Sequence, residues 1–211
     1  MRRVLCLCSE AQPLRLESRL ILVMHKKELK ATTNSGRIAL LALSNSEMRV
    51  RGDEHRLMDT TGLVVPRRQS LLLFPSETAE VLDAAFLSRV PGPYALLVPD
   101  GTWRQASKVL TREPALRGIP HVKVGPGPAS RYQLRREPHA HSLATFEAIA
   151  RAFGVLEGAE VQARLELLFD KMVERTLWSR GALPLAQCRF PIPPAAIQEF
   201  FDAGARGAPR P

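Results

Sequence analysis

This sequence predicts an α/β fold with a mainly parallel sheet and helices on both of its faces, and three observations carry the prediction. Apolar runs alternate with segments of helical periodicity along the chain. Two of the runs, Leu20-Ile21-Leu22-Val23-Met24 and Tyr94-Ala95-Leu96-Leu97-Val98, are unbroken, the pattern of strands buried on both faces. The 211 residues, 45% of them hydrophobic, suit one globular domain.

The elements follow in order. Residues 1–18 form an N-terminal segment, and the domain spans 19–203. The apolar run within 19–24 is the first strand. A polar loop leads to a helix over about 34–43, with Asn34 or Ser35 as its cap. Residues 48–50 make a short strand. Leu71-Leu72-Leu73-Phe74 is a buried strand ended by Pro75. Ser76 then caps a helix through Leu87, and Glu77 and Glu80 suit its N-terminal dipole. The run at 94–98 is a strand, followed by a helix over 104–110. Residues 121–124 form a further strand, and Gly125-Pro126-Gly127-Pro128 a rigid turn. A helix over 142–153 precedes a long amphipathic one over 160–178, whose Val161, Leu165, Leu168, Met172 and Leu177 keep helical spacing. Residues 204–211, rich in Gly, Ala, Arg and Pro, read as a disordered tail.

Charge narrows the partners. The chain carries 30 Lys+Arg against 21 Asp+Glu, a formal +9. Between residues 104 and 136 stand Arg104, Lys108, Arg112, Arg117, Lys123, Arg131, Arg135 and Arg136, with Glu113 the one acid. A solvated face normally mixes signs, so this segregation favours phosphate contact, and nucleic acid is the simplest anionic partner. No helix-turn-helix pattern favours a DNA-binding regulator. Cys6, Cys8 and Cys188 are too few for a disulfide framework, which points to a reducing cytoplasm. Cys6-Leu7-Cys8 alone does not make a zinc site, and buried or idle thiols are the simpler reading. No segment has the apolar length of a transmembrane helix, and no membrane partner is expected.

The most informative motif is Asp100-Gly101-Thr102-Trp103, which follows the 94–98 strand and opens a helix. In open α/β sheets ligands bind at the carboxyl ends of the strands. A carboxylate, a hydroxyl and an indole are presented there together. Asp100 is either a catalytic base or a group that shapes the site, with helix capping as the structural alternative. Thr102 has the same capping alternative, and Trp103 either stacks on a ligand base or packs a helix on the sheet. His25 and Glu28 flank another strand end. Asn34, Ser35 and Arg37 stand at a helix start, where capping competes with anion binding. Arg131 is a phosphate or carboxylate ligand by type.

The tetrapeptide resembles the signature of the DTW-domain family of tRNA-uridine aminocarboxypropyltransferases. Other blocks are similar to that family in the same order: Met24-His25-Lys26-Lys27-Glu28, Asn34-Ser35-Gly36-Arg37, Leu73-Phe74-Pro75-Ser76, Ser130-Arg131-Tyr132, and Leu143-Ala144-Thr145-Phe146-Glu147-Ala148. The likeness runs from about Cys6 to Trp178. Three departures stand out. Of a fuller cysteine cluster only Cys6 and Cys8 remain, Lys26 replaces a proline, and Ala144 replaces a small hydroxyl.

The resemblance implies a SPOUT-like arrangement with a C-terminal trefoil knot around the donor. It implies transfer of the 3-amino-3-carboxypropyl group of S-adenosylmethionine to N3 of a tRNA uridine, with release of methylthioadenosine and no metal. Alternatives are modification of ribosomal RNA, methyl transfer, or a non-catalytic RNA-binding module. The resemblance assigns chemistry to Asp100, Thr102, His25 and Glu28. It assigns the donor to Leu73, Pro75, Ser76, Pro99, Gly101, Trp103, Ser142, Thr145 and Glu147. RNA contacts fall to Asn34, Arg37, Arg104, Lys108, Arg131, Arg135 and Arg136.

Overall fold

A computed structural model describes residues 3–134 and 142–207, the last five of these as backbone alone. Six strands form one sheet in the order β2-β1-β5-β3-β6-β4. They are β1 (Arg19–His25), β2 (Ser46–Arg51), β3 (Gln69–Leu73), β4 (Glu80–Leu82), β5 (Tyr94–Asp100) and β6 (His121–Val124). Every neighbouring pair is parallel, and the central β1 and β5 run in register from Arg19↔Ala95 to Met24↔Asp100.

Burial on both faces explains why the central strands carry no polar alternation. Leu20, Leu22, Met24, Leu96 and Val98 point to one face, where α1 (Gly36–Ala42), α5 (Thr145–Glu157) and α6 (Ala159–Ser179) cover them. Ile21, Val23, Leu72 and Leu97 point to the other, under Val109, Leu116 and Ile119 and the Met58–Leu63 region of a long loop. Each fully buried Leu or Ile contributes about 1.5–3 kcal/mol.

Several boundaries differ from the sequence reading. The helix predicted from Ser76 through Leu87 is instead β4 followed by a short α2 (Ala84–Arg89). Pairing decides this: Glu80, Val81 and Leu82 lie in register with Val122, Lys123 and Val124 of β6. The cap of α2 is Asp83, which accepts from Phe86 N at 2.8 Å. The helix after the tetrapeptide is two pieces, α3 (Trp103–Ser107) and α4 (Val109–Arg112). The last helix, α7 (Pro194–Gly207), was not predicted and covers residues 204–207 of the expected tail; 208–211 lie outside the described residues. It closes a small core in which Leu5, Trp178, Ile192 and Ala196 meet, and Phe200 packs on Trp178 at 5.2 Å between ring centroids. The N-terminal segment is part of the body of the fold: Leu5 and Leu7 are buried and Leu14 bridges Leu43. Cys6 and Cys8, expected as idle thiols, touch through their sulfurs, with Cα atoms 5.5 Å apart.

Candidate functional site

Asp100 ends β5 and is only 4% exposed. Oδ2 accepts a hydrogen bond from Asn34 Nδ2 at 2.6 Å, and Oδ1 accepts one from Thr145 Oγ1 at 2.6 Å. Thr145 is the first residue of α5, and Asn34 stands two residues before α1. Gly36, the first residue of α1, abuts the same carboxylate: a Cβ there would lie 2.9 Å from Asp100 Cγ. Two helix N-termini thus meet one carboxylate, and their partial positive charge favours an anion between them. Gly36→Ala is expected to push the carboxylate off its partners and lower stability by about 1–3 kcal/mol, read from the urea midpoint.

Asp100 is not the cap of the helix that follows it. Thr102 is: its Oγ1 accepts from Gln105 N at 3.3 Å, and Gln105 Oε1 accepts from Thr102 N at 2.8 Å. This reciprocal capping box fixes the turn that carries Trp103. Trp103 packs against Phe74, with ring centroids 6.1 Å apart.

Asn34 is a brace rather than a surface group. Its Nδ2 lies 3.4 Å from Glu28 Oε2 as well as bonding Asp100, and its Oδ1 accepts from Arg37 N at 3.1 Å. One carboxamide thereby joins two buried carboxylates to the start of α1, since Glu28 is 6% exposed. Asn34, an expected RNA contact, uses both ends of its amide within the fold. Arg37 is exposed and donates to Leu29 O at 3.2 Å.

Beside Asp100 opens a cavity of about 710 Å³ along the carboxyl ends of β3, β5 and β6. Leu73, Phe74, Pro75, Val98, Pro99, Gly101 and Trp103 form its apolar wall. The Gly125–Ala129 loop and Leu143, Thr145 and Ala148 form the opposite side. Of the residues assigned to the donor, Leu73, Pro75, Pro99, Gly101, Trp103 and Thr145 are on this wall. Ser76, Ser142 and Glu147 are not. Ser76 Oγ instead contacts His121 Nδ1 at 2.7 Å. Ser142 is buried, and among the described residues its Oγ has no partner.

Glu147, expected at the donor, has three partners within the fold. Its carboxylate accepts from Arg131 N at 2.7 Å, from Ala144 N at 2.9 Å and from Ser130 Oγ at 2.5 Å. It therefore staples the loop after β6 to the first turn of α5. Ala144 has no side-chain oxygen to complete a capping box, so the acidic half works alone. Tyr132 adds a second anchor, its hydroxyl donating to Thr33 O. Two cations stand on the cavity wall, Lys123, which the sequence offers only as part of the basic stretch, and Arg151, which it does not single out. A lysine between Val122 and Val124, next to the Gly-Pro turn, was the available signal.

His25 is a neighbour of Gly101 but does not line the cavity; a Cβ on Gly101 would be 3.5 Å from His25 Cβ. Its Nδ1 accepts from Lys27 N at 3.2 Å, so the neutral ring carries its proton on Nε2. Burial, then the positive charges of Arg51, Lys27 and Arg112, push its pKa below the usual histidine range, against an opposing pull from Glu28. Gly52, at φ +72°, closes on the ring from β2's end: a Cβ there would lie 2.8 Å from Nε2.

The basic residues divide by environment. Arg104 is exposed on α3, and Lys108 is half-buried at the break between α3 and α4. Arg131 is committed to α6, with Asp170 and Glu166 each at 2.9 Å. Burial raises the pKa of Asp170, against the pull of Arg131 and Arg189. Arg135 and Arg136 lie outside the described residues.

Comparison with known proteins gives the site a context. The DTW domain matches residues 1–177. A Drosophila melanogaster protein, tRNA-uridine aminocarboxypropyltransferase 2, is 29% identical over 160 residues, covering 73% of this chain and 63% of its own length. The Macaca fascicularis protein of the same name is 26% identical, covering 72% of this chain and 53% of its own. This chain thus matches a little over half the length of these relatives. Among solved structures, the SAM-dependent rRNA:acp-transferase Tsr3 of Vulcanisaeta distributa superposes with a TM-score of 0.47 at 12% identity, covering 90% of this chain and 99% of that one.

Proposed function

Because the chain belongs to the DTW-domain family, we propose that it transfers the 3-amino-3-carboxypropyl group of S-adenosylmethionine to N3 of a uridine in tRNA. The observation that carries this reading is Thr145. It stands on the wall of a large cavity at the strand ends and also donates to Asp100. The signature carboxylate and the cavity are therefore one construction. About 710 Å³ is within the size range of cofactor pockets, and its mainly apolar wall suits an adenosine and a thioether.

The reaction needs little from the protein beyond geometry. N3 of the uracil attacks the methylene carbon next to the sulfonium. That C–S bond breaks, its electron pair stays on sulfur, and neutral methylthioadenosine leaves. The N3 proton passes to water. The sulfonium is already a good leaving group, so the choice of carbon rests on how the donor is held. In this reading Trp103 and Phe74 flank the adenosine, and Lys123 and Arg151 take the donor carboxylate. Asp100 holds Thr145 and Asn34 in place. His25 donates through Nε2 to a uracil carbonyl, where negative charge grows as N3 loses its proton. Glu28 acts through Asn34.

The finer fold reading, a SPOUT-like trefoil knot around the donor, belongs to the same proposal. What supports it is that the loop after β6 and the start of α5 share the cavity wall with β3 and β5.

The test is recombinant protein, S-adenosylmethionine and unmodified tRNA, with nucleosides read by mass spectrometry. The proposal expects 3-(3-amino-3-carboxypropyl)uridine and stoichiometric methylthioadenosine. A methylated nucleoside, transfer to ribosomal RNA only, or RNA binding with no product would each overturn it.

Charge variants separate RNA contacts from internal ties. Arg104→Ala is expected to weaken tRNA binding and reduce the slope of log K against log salt by about 0.7–0.9. Arg131→Ala is expected to leave that slope unchanged, because its guanidinium is spent on Glu166 and Asp170. Binding isotherms over a salt series check both.

A further inference from the structure

Arg51 is a charged side chain at the end of β2 that is buried in the fold. It is 2% exposed, and it lies in register beside His25 at the carboxyl ends of β2 and β1. Its Nε donates to Glu113 Oε1 at 3.0 Å, and its NH1 donates to Gln105 O at 3.3 Å. Gln105 is the residue that closes the capping box with Thr102. Glu113 follows α4, so the ion pair reaches both helices of the Asp100-Gly101-Thr102-Trp103 turn. Glu113 is the single acid in the basic stretch 104–136, and the fold uses it here, 62 residues from its partner.

We propose that Arg51 and Glu113 are a positioning pair for the acceptor side of the reaction: the pair seats the Trp103 turn on the sheet, and its charge balance keeps His25 a neutral donor through Nε2. The assignment rests on the proposed role of His25 and adds residues that the DTW motif does not contain.

The groups that face His25 are Arg51 from β2, Lys27 and Glu28 from the turn after β1, and Arg112 from α4. Gly52 and Gly101 touch the ring and its Cβ without charge. Burial is the largest influence on His25 and Arg51 the next, both acting against protonation. Glu113 screens Arg51. Removing one partner or the other must then shift His25 in opposite directions, whereas a merely structural pair would move it the same way in both variants.

The experiment follows the His25 ring protons of the full-length protein by NMR as pH is varied, with His25→Asn giving the assignment. Arg51→Met is expected to move the His25 midpoint up, and Glu113→Gln to move it down. Arg51→Lys, which keeps the charge, should restore the wild-type direction. If Arg51→Met fails to fold, Glu113→Gln and Arg51→Lys still decide. A midpoint that rises or stays fixed in Glu113→Gln, or that moves the same way in Arg51→Met and Glu113→Gln, would overturn the proposal. Neither RNA nor donor is present, so a failure here is distinct from a failure of the transfer reaction. With substrate, the acid limb of turnover should follow the same two opposite shifts.

Discussion

Asp100→Asn is expected to slow transfer by about two orders of magnitude and to weaken S-adenosylmethionine binding by about ten-fold. Both losses come from the same place. In the native site one carboxylate accepts from Asn34 and Thr145, each at 2.6 Å, between the N-termini of α1 and α5. An asparagine offers one acceptor oxygen and an amide that must donate. If its oxygen keeps Asn34, its nitrogen faces Thr145, whose hydroxyl hydrogen then turns into the cavity. The negative charge that the two helix ends favour is also gone. Because Thr145 is on the cavity wall, a donor bound as proposed would feel the change directly. Calorimetric titration with S-adenosylmethionine, alongside single-turnover kinetics, checks it. A base acting alone would lose turnover and leave donor affinity untouched, and that result would contradict the positioning role given to Asp100 here.

The second large effect is expected from Glu147→Ala. Three donors lose their acceptor at once: Arg131 N, Ala144 N and Ser130 Oγ. Glu147 is 4% exposed, so water does not readily replace it. A hydrogen bond to a charged group contributes about 1.5–3 kcal/mol, and the serine hydroxyl can turn elsewhere, so a loss of about 3 kcal/mol is expected. Donor binding should fall as well, because the stapled loop carries the Gly125–Ala129 side of the cavity. Denaturant midpoints measure the first effect and titration the second. A variant of unchanged stability would show that the loop holds itself. Glu147→Gln, which keeps one acceptor oxygen, should fall between the two.

Much of the frame was legible in the sequence because it is local. The unbroken runs of β1 and β5 announced strands buried on both faces, and the spacing from Val161 to Leu177 announced α6. What failed was decided at a distance. Ser76, Glu77 and Glu80 are good helix-start residues, yet register with β6 makes Glu80–Leu82 a strand. The site divides in the same way. The tetrapeptide, His25, Asn34 and Thr145 could be found as motifs. Their partnerships could not, because Asp100 meets Asn34 across 66 residues and Thr145 across 45. The sequence offers Asn34 as an RNA contact and Glu147 as a donor ligand but hides that Asn34 braces two carboxylates and that Glu147 ties the loop after β6 to α5. Arg51 gave no signal at all; only its burial against Glu113 reveals it.

In the proposed reaction the cavity presents the aminocarboxypropyl arm, and not the methyl group, to a tRNA uridine. The most direct measurement uses two preparations of S-adenosylmethionine, one labelled in the carboxypropyl chain and one in the methyl group, each with unmodified tRNA and wild-type protein. Carboxypropyl label is expected in the tRNA, at a uridine, and methyl label only in methylthioadenosine. Methyl label in the RNA would contradict it.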